Sequence, residues 1–292
     1  MKLQGVYTAL VTPFNRDGSL DEKALKELVN FQISGGISGL VPVGTTGESP
    51  TLSHREHHRV VELVIEDTAG RVPVIAGTGS NSTEEAIDLT RNAKAAGADY
   101  SLQVTPYYNK PSQEGIYRHF TAIADAVDLP LIIYNIPGRT GKNIENETMF
   151  RLAAHPNIVG VKEASGSITQ MMEVIAGTPD DFTVLSGDDG LGLPLLGCGG
   201  DGIVSVASNI LPRQLEDMVG AALEGRMDQA REIHYRLFSL FKNLFIDTNP
   251  IPVKYALARM GMIQEIYRLP LCPLSEAHKK VLDRDLKEAG LI

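Results

Sequence analysis

The chain has 292 residues and a formal net charge of −9, with 43% hydrophobic and 22% charged residues. This is the composition of an ordinary soluble globular protein, and the length permits one large α/β barrel or two average domains. The acidic balance, without any basic run, argues against nucleic acid or an anionic membrane as a partner.

Neither the first residues nor the two cysteines carry a recognisable targeting, metal-binding or redox motif. Residues 1–5 lead directly into a strand-like run, and no apolar stretch is long enough for a signal peptide or a membrane span, so we expect a cytoplasmic protein. The two cysteines, Cys198 and Cys272, lie far apart without the spacing of a metal site or a redox motif. We therefore expect free, buried thiols.

Short apolar, β-branched runs alternate with amphipathic helical stretches along most of the chain, which is typical of βαβ units and a parallel sheet. Eight such pairs in roughly 220 residues predict an α/β fold, a (β/α)8 TIM barrel, with a doubly wound open sheet as the alternative. The predicted strands are 6–11, 39–43, 72–76, 100–105, 131–134, 159–162, 183–186 and 202–206. The predicted helices are near 21–34, 54–68, 83–96, 113–126, 145–153, 168–176, 190–198 and 212–223.

Local signals mark several element boundaries. In the second strand, Pro42 removes a ladder donor, so we expect a bulge or a shortened strand there. Three helix starts fit the S-x-x-E capping box. They are Ser19 with Glu22, Ser53 with Glu56, and Ser82 with Glu85.

After the eighth unit the chain continues as helix, because 227–245, 252–260 and 275–288 show helical periodicity with no strand between them. We therefore expect a catalytic barrel over 1–224 and a C-terminal helical region over 225–292. The first of these helices carries an apolar stripe that we expect to pack against the barrel, with subunit contact as the alternative. The stripe consists of Ile233, Leu237, Leu240, Phe241 and Leu244.

The sixth strand carries a lysine near its end. Period-two alternation directs Val159 and Val161 to one face and Gly160 and Lys162 to the other. In a barrel the valines would meet the outer helices, and the lysine would enter the interior beside a glycine that leaves it room. A buried ammonium is costly unless it is paired or deprotonated. The alternative is a strand-end lysine that reaches water or pairs with Glu163.

The active face of a parallel barrel lies at the carboxyl ends of its strands, where this chain is rich in polar residues. The loop GTTGES after strand two offers free N–H groups and the hydroxyls of Thr45 and Thr46 to an anion. The alternative is a plain turn that caps the next helix. After strand four, the adjacent Tyr107 and Tyr108 are a pair that ordinarily serves packing.

The loop after strand five reads YNIPGRTG. Alternation turns Tyr134 inward, so that its hydroxyl could approach Lys162 on the neighbouring strand. Arg139 lies on the same face, and its planar guanidinium suits a carboxylate. The alternative for Arg139 is a surface arginine paired with Glu145 or Glu147.

A lysine buried among tyrosines beside a carboxylate-binding arginine, without an evident metal site, points to covalent catalysis through a Schiff base on a 2-oxo acid. A free lysine has a pKa of about 10.4, so an apolar lumen must lower the pKa towards roughly 7–8 before the amine can attack a carbonyl. Gly160, Ile132 and Val204 would supply the apolar wall.

Seven blocks distributed over nearly the whole chain resemble the dihydrodipicolinate synthase family of the pyruvate-dependent class I aldolase superfamily, which includes N-acetylneuraminate lyase. Their shared order makes the resemblance specific, although no single block would. The blocks are 44–49 (GTTGES), 104–109 (VTPYYN), 134–141 (YNIPGRTG), 160–164 (GVKEA), 186–189 (SGDD), 203–209 (IVSVASN) and 249–254 (NPIPVK).

The resemblance implies roles for the strand-end residues in catalysis. It makes Lys162 the Schiff-base lysine and Tyr134 the proton donor and acceptor nearest the imine. Thr45 would link Tyr134 to Tyr108 in a proton relay, with that second tyrosine contributed by the neighbouring subunit. The family's usual assembly is a homotetramer, a dimer of tight dimers.

The same resemblance implies the substrates. Thr46 would hold the pyruvate carboxylate, the backbone around Val204 would close the pyruvate site, and Arg139 would bind the carboxylate of the aldehyde. The implied lyase reaction condenses pyruvate with L-aspartate 4-semialdehyde to 4-hydroxy-tetrahydrodipicolinate in lysine (diaminopimelate) biosynthesis, without a metal or organic cofactor. Sialic acid lyases lack this arginine, which favours the synthase. The alternatives are another pyruvate-dependent aldolase of the superfamily: N-acetylneuraminate lyase, 4-hydroxy-2-oxoglutarate aldolase or a keto-deoxy sugar-acid aldolase.

A lysine-feedback site is also implied, because six residues match the pattern of lysine-sensitive members. Pro50 departs from the alanine often seen beside them. The alternative is that these residues form no effector site. In that case Glu85 would be the capping-box partner of Ser82, and His54 and His57 would be solvated at a polar helix start. The six residues are Ser49, His54, His57, Asn81, Glu85 and Tyr107.

Two other classes of function are compatible with parts of the pattern. Glu163, Asp188 and Asp189 at strand ends could bind a divalent cation in a metal-dependent barrel enzyme. A non-catalytic 2-oxo-acid sensor would keep the pocket without turnover, although the intact tyrosines and threonine argue against it.

Overall fold

The computed structural model describes residues 2–292, so Met1, the first residue of the predicted barrel segment, lies outside the described residues. The strands are β1 (Gly5–Ala9), β2 (Gly39–Val41), β3 (Ile75–Gly77), β4 (Tyr100–Val104), β5 (Leu131–Asn135), β6 (Ile158–Glu163), β7 (Thr183–Ser186) and β8 (Gly202–Ser205). The helices are α1 (Glu22–Ser34), α2 (His54–Thr68), α3 (Thr83–Ala96), α4 (Gln113–Ala126), α5 (Pro137–Thr140), α6 (Asn146–Ala153), α7 (Ile168–Gly177), α8 (Asp189–Gly197), α9 (Pro212–Leu223), α10 (Met227–Asn243), α11 (Ile251–Arg259) and α12 (Glu276–Glu288).

The eight strands form a parallel sheet in the order β2-β1-β8-β7-β6-β5-β4-β3. A parallel bridge between Leu40 and Val74, and a 3.1 Å hydrogen bond from the Gly77 N–H to the Pro42 carbonyl, join β2 to β3. The sheet therefore closes, and the predicted (β/α)8 barrel is confirmed. The shortened strand expected at Pro42 is also confirmed, because β2 ends at Val41.

The barrel interior is filled by an apolar cluster that lies beneath the carboxyl ends of the strands. It contains Leu3, Tyr7, Ala9, Val41, Ile75, Leu102, Ile132, Tyr134, Leu185 and Val204. Larger clusters lie between the sheet and the surrounding helices. A sheet with apolar side chains on both faces is the arrangement expected of parallel strands buried in an α/β fold.

The orientation predicted for Val159 is wrong. The register of β5 with β6 shifts between Leu131 and Ile132, which pair with Ile158 and Gly160, so Val159 is an extra residue in β6. A bulge of this kind interrupts alternation. Val159 packs against the interior cluster, whereas Val161 packs in the outer layer as expected.

The C-terminal helices pack against the barrel helices. All five residues of the predicted stripe on α10 belong to the largest apolar cluster and are at most 8% exposed, so the packing prediction is confirmed. None of the helices in residues 2–292 combines the length and apolarity needed to cross a bilayer. The division between 224 and 225 stays a prediction.

Two expectations about local structure are corrected. The capping box of α2 is present as predicted, but α1 is capped by Asp21, because the Ser19 hydroxyl donates to Asp17 instead. Both cysteines are free as expected, but they are exposed. Cys198 caps the end of α8 and Cys272 lies in a loop, so neither is carried into the core by an apolar helix face.

Asp21→Ala is expected to lower the free energy of unfolding by about 1 kcal/mol, because the Asp21 carboxylate accepts a 3.0 Å hydrogen bond from the Ala24 N–H. Ser19→Ala, two residues away, should change it by less than about 0.5 kcal/mol. Urea unfolding of the two variants measures both values. Equal losses in the two variants would contradict this assignment of the cap.

Candidate active site

Lys162 lies inside the barrel, as its position in β6 predicts. It pairs in register with Tyr134 on β5 and Leu185 on β7, and only 6% of the residue is exposed. Its Nζ lies 4.0 Å from the centroid of the Tyr134 ring. Burial lowers the pKa of Lys162 to about 7, with Asp189 opposing this effect and Arg139 adding to it. Near neutral pH, a large fraction of the amine is therefore uncharged and nucleophilic.

The space for the lysine side chain is provided by Gly187 rather than by Gly160. A Cβ at Gly187 would lie 2.9 Å from Lys162 Cε, whereas a Cβ at Gly160 would lie 2.7 Å from the Thr183 carbonyl oxygen. Gly187 follows β7, the neighbour of β6. The predicted function of Gly160 is thus wrong, because the side chain of Lys162 extends towards the strand end and away from Gly160.

Tyr134 is also buried, with 5% of the residue exposed. Burial raises its pKa to about 12, and the Arg139 guanidinium and the Thr45 side chain act in the opposite direction. The phenol therefore keeps its proton at neutral pH. The Lys162 amine lies over the ring face of Tyr134.

A cavity of about 240 Å³ lies beside Tyr134. Its walls come from the segments that follow β2, β3, β4 and β5, and they include Thr45, Ser49, Tyr107, Tyr134 and Arg139. A cavity of this size suits a small metabolite rather than a polymer. The loops after β2, β4 and β5 that were singled out from the sequence therefore line one cavity, whereas Lys162, Thr46 and Val204 are not among its lining residues.

Arg139 and Thr46 are connected through Asn249, a residue to which the sequence reasoning assigned no role. The Arg139 guanidinium donates to the Asn249 carbonyl at 3.3 Å, not to Glu145 or Glu147. The Asn249 amide donates to the Thr46 hydroxyl oxygen at 3.0 Å, so the hydroxyl proton of Thr46 is left to donate to an anion. Only the NPIPVK block, more than 100 residues from Arg139, pointed to this residue.

The chain does not bring Tyr108 to Thr45. Tyr108 is 89% exposed and has a positive φ of 68°, so its side chain points into solvent. Val204, by contrast, is 2% exposed and belongs to the same interior cluster as Tyr134.

Of the six residues of the expected effector site, Ser49 and Tyr107 line this cavity, whereas His54 and Glu85 line a separate one. The His54 imidazole contacts the Glu85 carboxylate at 2.9 Å, and the Asn81 amide donates to the Tyr107 carbonyl at 3.2 Å. The Glu85 carboxylate also accepts from Ser80, so it does not close a capping box with Ser82.

His57 is not the solvated histidine that the alternative interpretation expected. It is 4% exposed and contacts the Gly77 carbonyl at 2.8 Å, and burial lowers its pKa to about 4. Ser49 lines the cavity together with Tyr107.

The three carboxylates proposed for a metal site have separate partners. Glu163 accepts from Asn135 and from the Ser165 N–H on the outer side of β6, and Asp188 caps α8. Asp189 accepts from the N–H groups of residues 206 and 207. In residues 2–292 no three metal-ligating side chains come together, so the metal-site interpretation of these carboxylates is wrong.

Asp189 is a residue that the sequence reasoning considered only as a metal ligand. It is 1% exposed, its pKa is raised to about 6 by burial, and it is the main charge that opposes the lowering of the Lys162 pKa. Its position after β7 could have indicated that Asp189 lies near the active site, because strand-end carboxylates of a barrel point towards its active face.

A model of the dihydrodipicolinate synthetase family matches residues 2–289. The chain belongs to this family. It is 53% identical over 289 residues to the 4-hydroxy-tetrahydrodipicolinate synthase of Pelobacter propionicus, covering 99% of each chain. The dihydrodipicolinate synthase of Acinetobacter baumannii, solved with pyruvate, is 47% identical, with a TM-score of 0.98 and full coverage of both chains. The Cyanidioschyzon merolae family member, solved with lysine bound, is 44% identical, with a TM-score of 0.97 and 99% coverage of both chains.

The rate of imine formation on Lys162 is expected to rise with pH through about 7 and to level off above it, because only the neutral amine attacks a carbonyl. The pKa of Lys162 lies below its ordinary value, so the neutral fraction is small at pH 5 and nearly complete at pH 9. Rapid-quench borohydride trapping with pyruvate across this range measures the midpoint. A midpoint near 10 would contradict the burial argument.

Proposed function

We propose that this protein is a 4-hydroxy-tetrahydrodipicolinate synthase that condenses pyruvate with L-aspartate 4-semialdehyde in lysine biosynthesis. The observation that carries the proposal is the buried Lys162 amine, with a pKa of about 7, against Tyr134, which lines a small cavity. Membership of the family and the 53% identity to a synthase support it.

In the proposed reaction the neutral Lys162 amine attacks the keto carbon of pyruvate. The carbinolamine loses water to give an imine, which withdraws electrons from the adjacent methyl group. Loss of one methyl proton gives an enamine, and its carbon attacks the aldehyde carbon of the second substrate. The amine of that substrate then displaces Lys162 by transimination and closes the ring, which restores the free enzyme.

Tyr134 and Thr45 would move the protons that these steps require. The phenol keeps its proton at neutral pH, so Tyr134 can protonate the departing water of the carbinolamine and recover a proton later. Tyr134 and Thr45 both line the cavity, so Thr45 would carry the proton towards its mouth.

Thr46 and Arg139 would bind the two substrate carboxylates. The Thr46 hydroxyl, which accepts from Asn249, has its proton left to donate to the pyruvate carboxylate. The backbone around Val204 would complete the pyruvate site from the adjacent β8. Arg139, at the cavity wall, would bind the carboxylate of the aldehyde substrate and select it over uncharged sugar aldehydes.

We propose that Tyr108 acts in a neighbouring subunit of a homotetramer in the cytoplasm. An aromatic side chain that is 89% exposed, at a backbone position with positive φ, is unfavourable in an isolated monomer. Insertion into the active site of a partner, towards Thr45, would bury it and complete the relay.

Lysine is the proposed effector. The residues of the expected effector site would meet its charges with the Glu85 carboxylate and the polar groups of His54, Asn81 and Tyr107. A family member was solved with lysine bound.

Other pyruvate-dependent aldolase activities are less well supported, because Arg139 supplies a carboxylate-binding group that a sugar aldehyde does not require.

Borohydride reduction in the presence of pyruvate is expected to attach one adduct to the protein, on the peptide that contains Lys162. Lys162→Ala should remove the adduct and lower condensation at least about 10³-fold, because the covalent step is lost. Lys242→Ala, on the exposed end of α10, is the matched control and should retain both the adduct and the condensation activity. Peptide mass analysis with a coupled condensation assay measures them, and a metal-dependent or non-catalytic protein would give no adduct.

Arg139→Ala is expected to raise KM for aspartate semialdehyde by about 10- to 100-fold, because a charge-assisted bidentate contact of about 1.5–3 kcal/mol is lost. KM for pyruvate should change less than about threefold. Initial rates with each substrate varied in turn separate the two effects. An equal rise in both KM values would show that Arg139 does not select the aldehyde.

A further inference from the structure

The loop that follows β2 has an unfavourable backbone conformation next to the proposed pyruvate-binding residues. Glu48 has a φ of 55°, and its N–H donates to the Thr45 carbonyl at 3.1 Å. The left-handed region costs a residue with a side chain of the order of 1–3 kcal/mol, so surrounding contacts must hold it. The conformation of Glu48 is therefore part of the turn that carries Thr45 and Thr46.

Glu48 forms a buried ion pair with Lys254 on α11, and its carbonyl accepts from the Thr51 hydroxyl and N–H. The Lys254 Nζ lies 2.5 Å from a Glu48 carboxylate oxygen, and both side chains are 0% exposed. The rings of Phe14 and Tyr267 flank the ammonium at 4.4 and 5.4 Å from their centroids. Burial lowers the pKa of Lys254, and Glu48 opposes this effect.

An ion pair is an expensive way to stabilise a fold at such a site. Each ion loses several kcal/mol of hydration, and a well-packed apolar pair of similar volume is often equally stable or more stable. What a salt bridge between Lys254 and Glu48 adds is geometry, because a carboxylate oxygen must stay within hydrogen-bond distance of the amine. The pair therefore constrains the loop more than burial alone would.

A second contact from the same C-terminal segment reaches the same loop. Asn249, five residues before Lys254, donates to the Thr46 hydroxyl and accepts from Arg139 through its carbonyl. Residues 249–254 thus contact the loop at Thr46 and at Glu48, on either side of Gly47. The C-terminal region is tied directly to both groups proposed to bind carboxylates.

We propose that Glu48 and Lys254 are a positioning pair, which holds Thr45 and Thr46 in the geometry required for capture of the 2-oxo acid by Lys162. Neither residue touches the reacting atoms. The proposal rests on the proposed pyruvate condensation and adds a function for the C-terminal helical region in that reaction. A pair that served stability alone would be replaceable without kinetic effect.

The experiment replaces the pair by neutral side chains of similar size, in the double variant Glu48→Gln with Lys254→Met. Its matched control is Arg259→Gln with Asp283→Asn, which removes the ion pair between α11 and α12 without touching the loop. Thermal unfolding, KM for pyruvate, kcat and amide hydrogen exchange over residues 44–51 are measured for both variants and for the unmodified protein.

For the Glu48/Lys254 variant we expect a folded protein, a rise of about tenfold or more in KM for pyruvate and faster exchange in residues 44–51. The control should keep its KM within about twofold. An unchanged KM and unchanged exchange in the folded Glu48/Lys254 variant overturn the positioning role. Should that variant fail to fold, Glu48→Asp, which keeps the charges but shortens one side chain, takes its place with the same expected pattern.

The same measurements distinguish failure of the proposed reaction from failure of the positioning inference. If the unmodified protein forms no pyruvate adduct under borohydride, the proposed reaction itself fails. If the unmodified protein forms the adduct and the Glu48/Lys254 variant behaves kinetically like it, only the positioning inference fails.

Discussion

The desolvation of one amine inside a closed barrel is the constraint on which the active site depends. Lys162 can act as a nucleophile near neutral pH only because burial lowers its pKa to about 7. This requires a complete ring of strands, an apolar interior and a glycine at position 187 that leaves room for the side chain. Removing water from the ammonium is unfavourable for folding, so the rest of the barrel must offset that cost.

Two buried lysines in this chain meet the same constraint in different ways. Burial lowers the pKa of Lys162 although Asp189 opposes this effect, so its neutral form is favoured near neutral pH. Lys254 lies between aromatic rings but contacts the Glu48 carboxylate, which favours the charged form. The difference in partners distinguishes the proposed nucleophile, Lys162, from the proposed positioning residue, Lys254. Burial by itself does not decide which role a lysine takes.

The C-terminal helices complete the site as well as the core. The apolar stripe of α10 packs with the barrel helices, while residues 249–254 contact the loop after β2. An active site at the carboxyl ends of barrel strands consists of loops, and loops need external support. This chain obtains part of that support from a segment about 200 residues away in sequence.

The local sequence determined much of this structure by itself. Alternating apolar runs located every strand to within about three residues, and capping residues and periodicity located most helix ends to within one or two, because these signals act between near neighbours. The strand-end positions of Lys162, Tyr134, Thr45 and Arg139 followed from the same pattern. Tertiary structure alone decided the bulge at Val159, the space at Gly187, the link through Asn249 and the exposure of both cysteines. Each of these depends on contacts between segments far apart in the chain, and neither periodicity nor residue type carries that information.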